Sequence, residues 1–208
     1  MVCTLCKHPA VHFGNFQNRN YNRCTYCASV FLDSIDLPSA SREEKRYQQH
    51  QNSTSNSGYI DFLSPLITVV TKNHSKTETG LDYGSGPNPV LTNLLKNRGF
   101  VVTAYDLFFS KNPDALQQSY DYVLCCEVIE HFHKPAESFR ELFDLLKPGG
   151  SLYCKTNLLT PDINFKDWWY KNDFTHSFFY TTEALAYIRS HFGFTNLILK
   201  SDYIQFIK

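Results

Sequence analysis

From residue 59 onward, short apolar runs alternate with longer amphipathic stretches, the signature of strands alternating with helices in an α/β sheet. Residues 80–83 form one such run and end in Gly84-Ser85-Gly86-Pro87-Asn88-Pro89, after which Val90, Leu91, Leu94 and Leu95 recur at helical spacing. The runs at 101–105 and 122–126 predict two further strands, ending at Asp106 and Glu127. An amphipathic helix is expected over 139–146, stopped by the breaker Lys147-Pro148-Gly149-Gly150 and followed by a strand over 151–156. A last helix over 182–191 precedes strands over 196–199 and 203–207, an antiparallel hairpin closing a mostly parallel, Rossmann-like sheet. Residues 33–58 are polar, with the charged run Arg42-Glu43-Glu44-Lys45-Arg46, and read as a connector containing a helical piece. The expected organisation is a small unit over 1–32, a linker or lid over 33–58 and an α/β domain over 59–208.

Composition narrows the function classes. The chain has 208 residues, 42 % hydrophobic and 15 % aromatic, enough for one compact core with a small appendage. Twenty basic and twenty acidic side chains cancel, so no global field draws the protein to nucleic acid or an anionic surface. The apolar stretch 63–70 is interrupted by Ser64 and Pro65 and falls short of the roughly 20 residues that span a bilayer. The opening MVCTLCKHPA has neither the basic start nor the apolar run of a signal peptide, so a cytoplasmic protein that does not enter the membrane is expected.

Cys3-x2-Cys6 and Cys24-x2-Cys27, separated by seventeen residues, have the two-knuckle spacing of a structural zinc site. Two residues between thiolates let a tight turn aim both sulfurs at one ion, and the intervening segment can form a hairpin. An empty or iron-loaded form of the same site stays open; disulfides and free thiols are disfavoured by a reducing compartment and by the regular pairing. His8 and His12 are expected at the surface, since four thiolates complete a tetrahedron. Cys125, Cys126 and Cys154 fall on predicted strands, where a thiol acts as a small hydrophobe.

Glycines at 84 and 86 permit close approach of a ligand to a helix N-terminus, and Asp106, at the next strand end, is placed to hold the two hydroxyls of a ribose. The position of the third glycine in a dinucleotide fingerprint is Pro89, which disfavours a pyrophosphate. The run Leu81-Asp82-Tyr83-Gly84-Ser85-Gly86, Asp106, the stretch from Asp121 through Glu127-Val128-Ile129-Glu130-His131, and Leu146-Lys147-Pro148-Gly149-Gly150 resemble, in order, the motifs of class I S-adenosylmethionine-dependent methyltransferases of the small type 11/23 kind. The resemblance implies that Asp82, Tyr83, Gly84, Ser85 and Gly86 hold the methionine end, Asp106 the ribose, and Leu107 and Phe108 the adenine. Glu127 and Val128 would line the methyl-donor side, with Tyr59 nearby. Only fourteen residues separate Asp106 from Asp121, so the usual third strand and helix look truncated.

Glu127, Glu130 and His131 are spaced to share one face of a helical turn, and His176 follows in Asn172-Asp173-Phe174-Thr175-His176. This pattern resembles O-methyltransferases of ubiquinone biosynthesis and of small-RNA 3′ ends, which implies a divalent ion at Glu127, Glu130, His131 and His176. Equally, Glu130 and His131 can cap a turn while His131 or His176 acts as general base; His133 is expected to face solvent. The aromatics Trp168, Trp169, Tyr170 and Phe174 are candidates to cover the acceptor, whereas Phe178 and Phe179 read as core. Arg46, Tyr47, His50, Asn52, Gly58 and Tyr59 form either a lid or a solvated helix. The leading expectation is methyl transfer from S-adenosylmethionine to an oxygen of a small-molecule acceptor. RNA or tRNA methylation is disfavoured, though left open, because the first 32 residues carry only Lys7, Arg19 and Arg23 as bases. A non-catalytic module that senses the cofactor is a third reading. No motif encodes the acceptor or the oligomeric state.

Overall fold

A computed structural model describes residues 1–49, 53 and 56–208. The chain begins with a hairpin of β1 (Ala10–Phe16) and β2 (Arg19–Cys24). Its turn residues Gln17 and Asn18 both have positive φ, 54° and 57°, as a two-residue turn matched to strand twist requires. Both cysteine pairs lie at the open end of this hairpin, opposite its turn, and β3 (Val30–Leu32) adds to its edge. Two helices follow, α1 (Ala40–Gln48) and α2 (Ser57–Asn73). The larger sheet and its helices comprise β4 (Thr79–Tyr83), α3 (Val90–Lys96), β5 (Val101–Tyr105), β6 (Tyr120–Cys126), α4 (Pro135–Asp144) and β7 (Leu146–Lys155). Then come β8 (Phe178–Phe179), α5 (Thr182–Phe192), β9 (Asn196–Leu199) and β10 (Ile204–Ile207).

The six-stranded sheet has the order β5-β4-β6-β7-β10-β9, with the first four strands parallel and β10 antiparallel to both neighbours. Alternation along β6 feeds two cores. Tyr122 and Leu124 pack with Leu63, Leu66 and Val70 of α2 and Leu91 and Leu95 of α3; Val123 and Cys125 pack with Phe139 and Leu142 of α4 and Leu185 and Ile188 of α5. The expected cysteine environment follows, since Cys125 and Cys154 are buried on adjacent strands.

Four features depart from or sharpen the pattern reading. The 17-residue helix α2 was not anticipated, because Pro65 interrupts its apolar stretch. Proline deprives the carbonyl four residues earlier of its donor, and here Ser64 Oγ donates to Asp61 O at 2.8 Å in its place. Helix α4 starts and stops earlier than expected, and the breaker 147–150 lies within β7: Gly149 N donates to Lys208 O and Lys208 N to Gly150 O, absorbing the glycines into the sheet. Between β5 and β6 there is only a 3-10 turn, Pro113–Gln117, so the third unit is truncated and β5 forms the sheet edge. Finally, the small sheet runs β1-β2-β3-β8, taking its fourth strand from beyond β7, so the boundary at residue 32 cuts through a shared sheet. Phe178 and Phe179 are buried in it, as core residues. Among the described residues no helix is long and apolar enough to cross a membrane.

Candidate active site

The carboxyl ends of β4, β5 and β6 open into a cavity of about 800 Å³. Its floor is the glycine turn. Gly84 (φ 80°) and Gly86 (φ 69°) occupy the left-handed region, and a Cβ on Gly84 would sit 2.6 Å from Val128 Cγ2, whereas one on Gly86 would meet only open space. Gly84 N and Ser85 N donate to Tyr105 O at 2.8 and 3.0 Å, tying the turn to β5. Asp106 completes the frame: Oδ2 accepts from Gly86 N (2.8 Å), and Oδ1 from Phe108 N (2.8 Å) and Phe109 N (3.1 Å). Its carboxylate thus orders two turns and retains one lone-pair site, on Oδ2, for a hydroxyl donor. Ser85 Oγ is buried without a hydrogen-bond partner among the described residues, Leu107 stands 64 % exposed at the rim, and Tyr59 stacks on Phe62 along one wall.

Two expected donor-side residues are placed otherwise. Asp82 does not line the cavity: its Oδ2 accepts from Thr92 Oγ1 (2.7 Å) and Thr92 N (3.2 Å), anchoring the start of α3, and burial raises its pKa to about 6. Tyr83 does line it, but its hydroxyl is turned to Glu141 Oε1 at 2.8 Å.

Beyond β6 the backbone turns sharply. Glu127 has φ 53°, a conformation rare for a residue with a side chain, held by its N–H on Lys155 O at 2.8 Å. Only Ile129–His131 form a 3-10 turn, so Glu127, Glu130 and His131 do not share an α-helical face as their spacing suggested. Glu130, His131 and His176 nonetheless converge, each offering a ligating atom within 4.8 Å of the others; Glu127 lies outside this triad. The Tyr170 hydroxyl connects it, lying 2.6 Å from Glu130 Oε1, 3.2 Å from Glu127 Oε2 and 3.0 Å from Thr156 Oγ1. Burial pushes Glu127 to about 7 and, with the Glu127 charge adding to it, drives Glu130 well above the carboxylate range. Glu130 Oε2 is buried with no hydrogen-bond partner among the described residues.

Both histidines have defined tautomers. His131 Nδ1 donates to Thr175 O at 3.0 Å and His176 Nδ1 to Tyr170 O at 2.6 Å; a carbonyl can only accept, so in each neutral ring Nε2 carries the lone pair. Burial lowers His176 to about 4, keeping it neutral near pH 7. This arrangement, a ring whose outer N–H rests on a carbonyl, orients histidines as ligands or bases.

Helix α1 covers the opening. Tyr47 contacts His131 and Phe108, with ring centroids 5.2 and 5.8 Å away, and Glu43 Oε1 lies 3.1 Å from His133 Nε2, so His133 lines the cavity while its side chain stays about a third exposed. His50 and Asn52, expected in the same cover, lie outside the described residues. Trp169 is 65 % exposed at the rim, while Trp168 packs into the aromatic core around Phe165 and Phe179. The bridging role of Tyr170 escaped the sequence reading; an aromatic run shows no period that singles out the member whose hydroxyl turns inward.

Outside the cavity lining, the sulfurs of Cys3, Cys6, Cys24 and Cys27 are buried and mutually within 4.8 Å, with Cys3–Cys27 at 3.8 Å and Cys6–Cys24 at 3.4 Å. Four zinc–sulfur bonds of about 2.3 Å at tetrahedral angles separate sulfurs by about 3.8 Å, so the donor set fits one ion. The Tyr26 and Cys27 N–H groups donate to Cys24 Sγ, both at 3.4 Å. The hydrogen bond between Cys3 and Cys27 lowers Cys27 to about 5 and pushes Cys3 far up, as in a thiol donating to a neighbouring thiolate.

Comparison with known proteins places the α/β portion. Residues 46–199 match the family described as Methyltransferase domain. A ubiquinone biosynthesis O-methyltransferase of Saccharophagus degradans is 37 % identical over 82 residues, 38 % of this chain and 33 % of that protein. Its counterpart in Sodalis glossinidius is 32 % identical over 78 residues, 38 % of this chain and 31 % of that protein. The matched segment thus spans about a third of these relatives. An O-methyltransferase family protein from Burkholderia thailandensis superposes with TM-score 0.57 at 16 % identity, over 83 % of this chain and 64 % of that one. Phosphoethanolamine N-methyltransferase 2 of Haemonchus contortus does so with TM-score 0.53 at 20 % identity, over 78 % and 44 %. At such identities the superpositions speak for the fold, and the family match, covering most of the chain, carries the assignment: this protein belongs to the methyltransferase-domain family.

Proposed function

We propose that the protein transfers a methyl group from S-adenosylmethionine to an oxygen of a small-molecule acceptor, with a divalent ion held by Glu130, His131 and His176 and with Glu127 beside it. One observation carries this reading. A single cavity joins the glycine turn with Asp106 to Glu127, His131 and His176, and the buried Glu130 behind them offers a ligating atom within 4.8 Å of both histidines, its Oε2 without a hydrogen-bond partner among the described residues. The turn at Gly84 to Gly86 would receive the methionine end, Asp106 the ribose hydroxyls, and Leu107 and Phe108 the base. Bound there, the donor supplies a sulfonium methyl and the ion supplies charge that favours an ionised acceptor oxygen. The Nε2 lone pair of His176 would ligate that ion or take the acceptor proton, and His131 offers a ring nitrogen to the same point. The names of the matched relatives favour an oxygen acceptor, and the aromatic rim at Trp169 and Tyr47 suits a planar one. The N-terminal unit is read as a zinc ribbon.

The test uses the full chain. Calorimetry with S-adenosylhomocysteine and with Mn²⁺ should show one site for each, and a labelled-methyl assay on the simple catechol 3,4-dihydroxybenzoate should show transfer that Glu130→Gln and His176→Gln remove. Absence of S-adenosylhomocysteine binding refutes the reading.

A further inference from the structure

The segment that carries His176 is gripped on its far side by the cysteine-bearing unit. Val30 and Phe31 of β3 pair with Phe179 and Phe178 of β8, and Leu32 N donates to Ser177 O at 2.9 Å, one residue from His176. Thr181 Oγ1 donates to Cys27 O at 2.6 Å, the carbonyl of one of the four clustered cysteines. On its near side the same segment meets the other site residues: Ser177 N donates to Glu130 O at 2.9 Å, and Tyr180 OH to Ile129 O at 3.0 Å. Residues 176–181 are therefore sandwiched between the sulfur cluster and the turn bearing Glu130 and His131. The glycine turn and Asp106, by contrast, take their hydrogen bonds from one another and from β5.

From this asymmetry we infer that the four-cysteine unit is a positioning element of the acceptor side: a metal at the four sulfurs holds β3 and the Cys27 carbonyl in place, and these set β8 and with it His176. The role of His176 rests on the function proposed above; the coupling itself does not. A three-stranded unit of some thirty residues has little core of its own; Tyr21, Val30 and Leu32 pack on Phe165 and Phe179, and the sulfur cluster pins the end of the hairpin opposite its turn. A ligand shifted by even an ångström loses its geometry, which makes a distant metal capable of switching off acceptor chemistry while donor binding persists.

The experiment compares the zinc-loaded full chain with chain stripped by p-hydroxymercuribenzoate and EDTA, and with Cys6→Ser and Cys6→His, the latter keeping a Cys3His ligand set. Amide exchange read by mass spectrometry should rise about tenfold over residues 174–181 on stripping and stay unchanged over 84–91. Mn²⁺ affinity should fall about tenfold, as for loss of a supporting shell, with S-adenosylhomocysteine affinity intact. Zinc re-addition and Cys6→His should restore both; Cys6→Ser should not. With zinc retained, Thr181→Val should reproduce a smaller rise over 174–181 that Thr181→Ser lacks. Equal exchange with and without zinc overturns the inference, and so does a rise that extends to 84–91, which would mean general unfolding. A loaded wild type that fails to bind Mn²⁺ refutes the divalent-ion reading alone, and the exchange data still decide the coupling.

Discussion

Arg46 places both Nε and Nη2 on Asp173 Oδ2, at 3.0 and 2.7 Å, joining the helix that covers the cavity to the loop that carries His176. The other oxygen, Oδ1, accepts from Thr175 N (3.0 Å) and Thr175 Oγ1 (2.6 Å), which fixes the loop immediately before His176. Burial alone would raise the Asp173 pKa, but the Thr175 donors and Arg46 outweigh it and hold the carboxylate well below its ordinary range. Cover and acceptor loop are thereby one mechanical unit, with Tyr47 resting on His131.

Cutting that link should loosen the cover more than the fold. Arg46 is a third exposed, so solvent screens the pair and Arg46→Met should cost about 1 kcal/mol in urea melts. Asp173→Asn should cost more, because it also disturbs the Thr175 turn. Both should raise KM for the catechol probe severalfold while kcat changes less, and protease cleavage within α1 should accelerate.

Asp106→Ala should weaken calorimetric binding of S-adenosylhomocysteine by about 3 kcal/mol, roughly a hundredfold, for loss of the charge-assisted hydrogen bonding to the ribose diol. Because the carboxylate also accepts three backbone N–H groups, the variant should lose about 1–3 kcal/mol of stability as those donors are orphaned. An unchanged affinity would remove the ribose assignment.

The parallel sheet was legible because β4, β5 and β6 combine apolar runs with polar residues at their ends, and the truncated third unit followed from counting residues between Asp106 and Asp121. Local pattern could not reveal contacts made by chain segments far apart. β8 is two residues long and joins a sheet whose other strands lie some 150 positions earlier, so no periodicity marks it. Asp82 sits in the family motif as a donor-side acid, yet its neighbour in space is Thr92, and only the path of α3 shows this. Likewise Glu127, Glu130 and His131 have helical spacing, but the positive φ at Glu127 breaks the helix before it starts. Tyr170 entered as one aromatic among several; its hydroxyl became significant once the fold brought it between two carboxylates.

Tyr170→Phe removes that hydroxyl and leaves both carboxylates without their shared donor. Both side chains then lose the contact that orients them, so Mn²⁺ affinity and kcat should each fall about 10- to 100-fold, the scale of lost outer-shell support. S-adenosylhomocysteine affinity should stay within twofold, about the scatter of independent sites. A variant with wild-type kcat would show that Tyr170 serves packing only.

The buried groups of the site pull the pH dependence of stability in opposite directions. His176 titrates near 4 in the fold against an ordinary 6.5, so between these values the unfolded chain binds a proton that the folded chain refuses. Its stabilising contribution is complete above pH 6.5 and is lost as pH falls through 4, about 3 kcal/mol in all. Glu127 behaves inversely: raised to about 7 from an ordinary 4.5, it favours the fold below pH 4.5 and loses that contribution as pH rises through 7. Glu130 and Asp82, also raised by burial, add to the Glu127 slope, so in the wild type, with the divalent site unloaded, the carboxyl slopes outweigh that of His176 across this window. Removing one should change the balance: relative to the wild type, His176→Gln should lose stability more steeply as pH rises from 5 to 7, and Glu127→Gln less steeply over the same interval. Urea denaturation of the three proteins at pH 5, 6 and 7 reads both slopes. Parallel curves for all three would mean that neither group is desolvated as the structure places it.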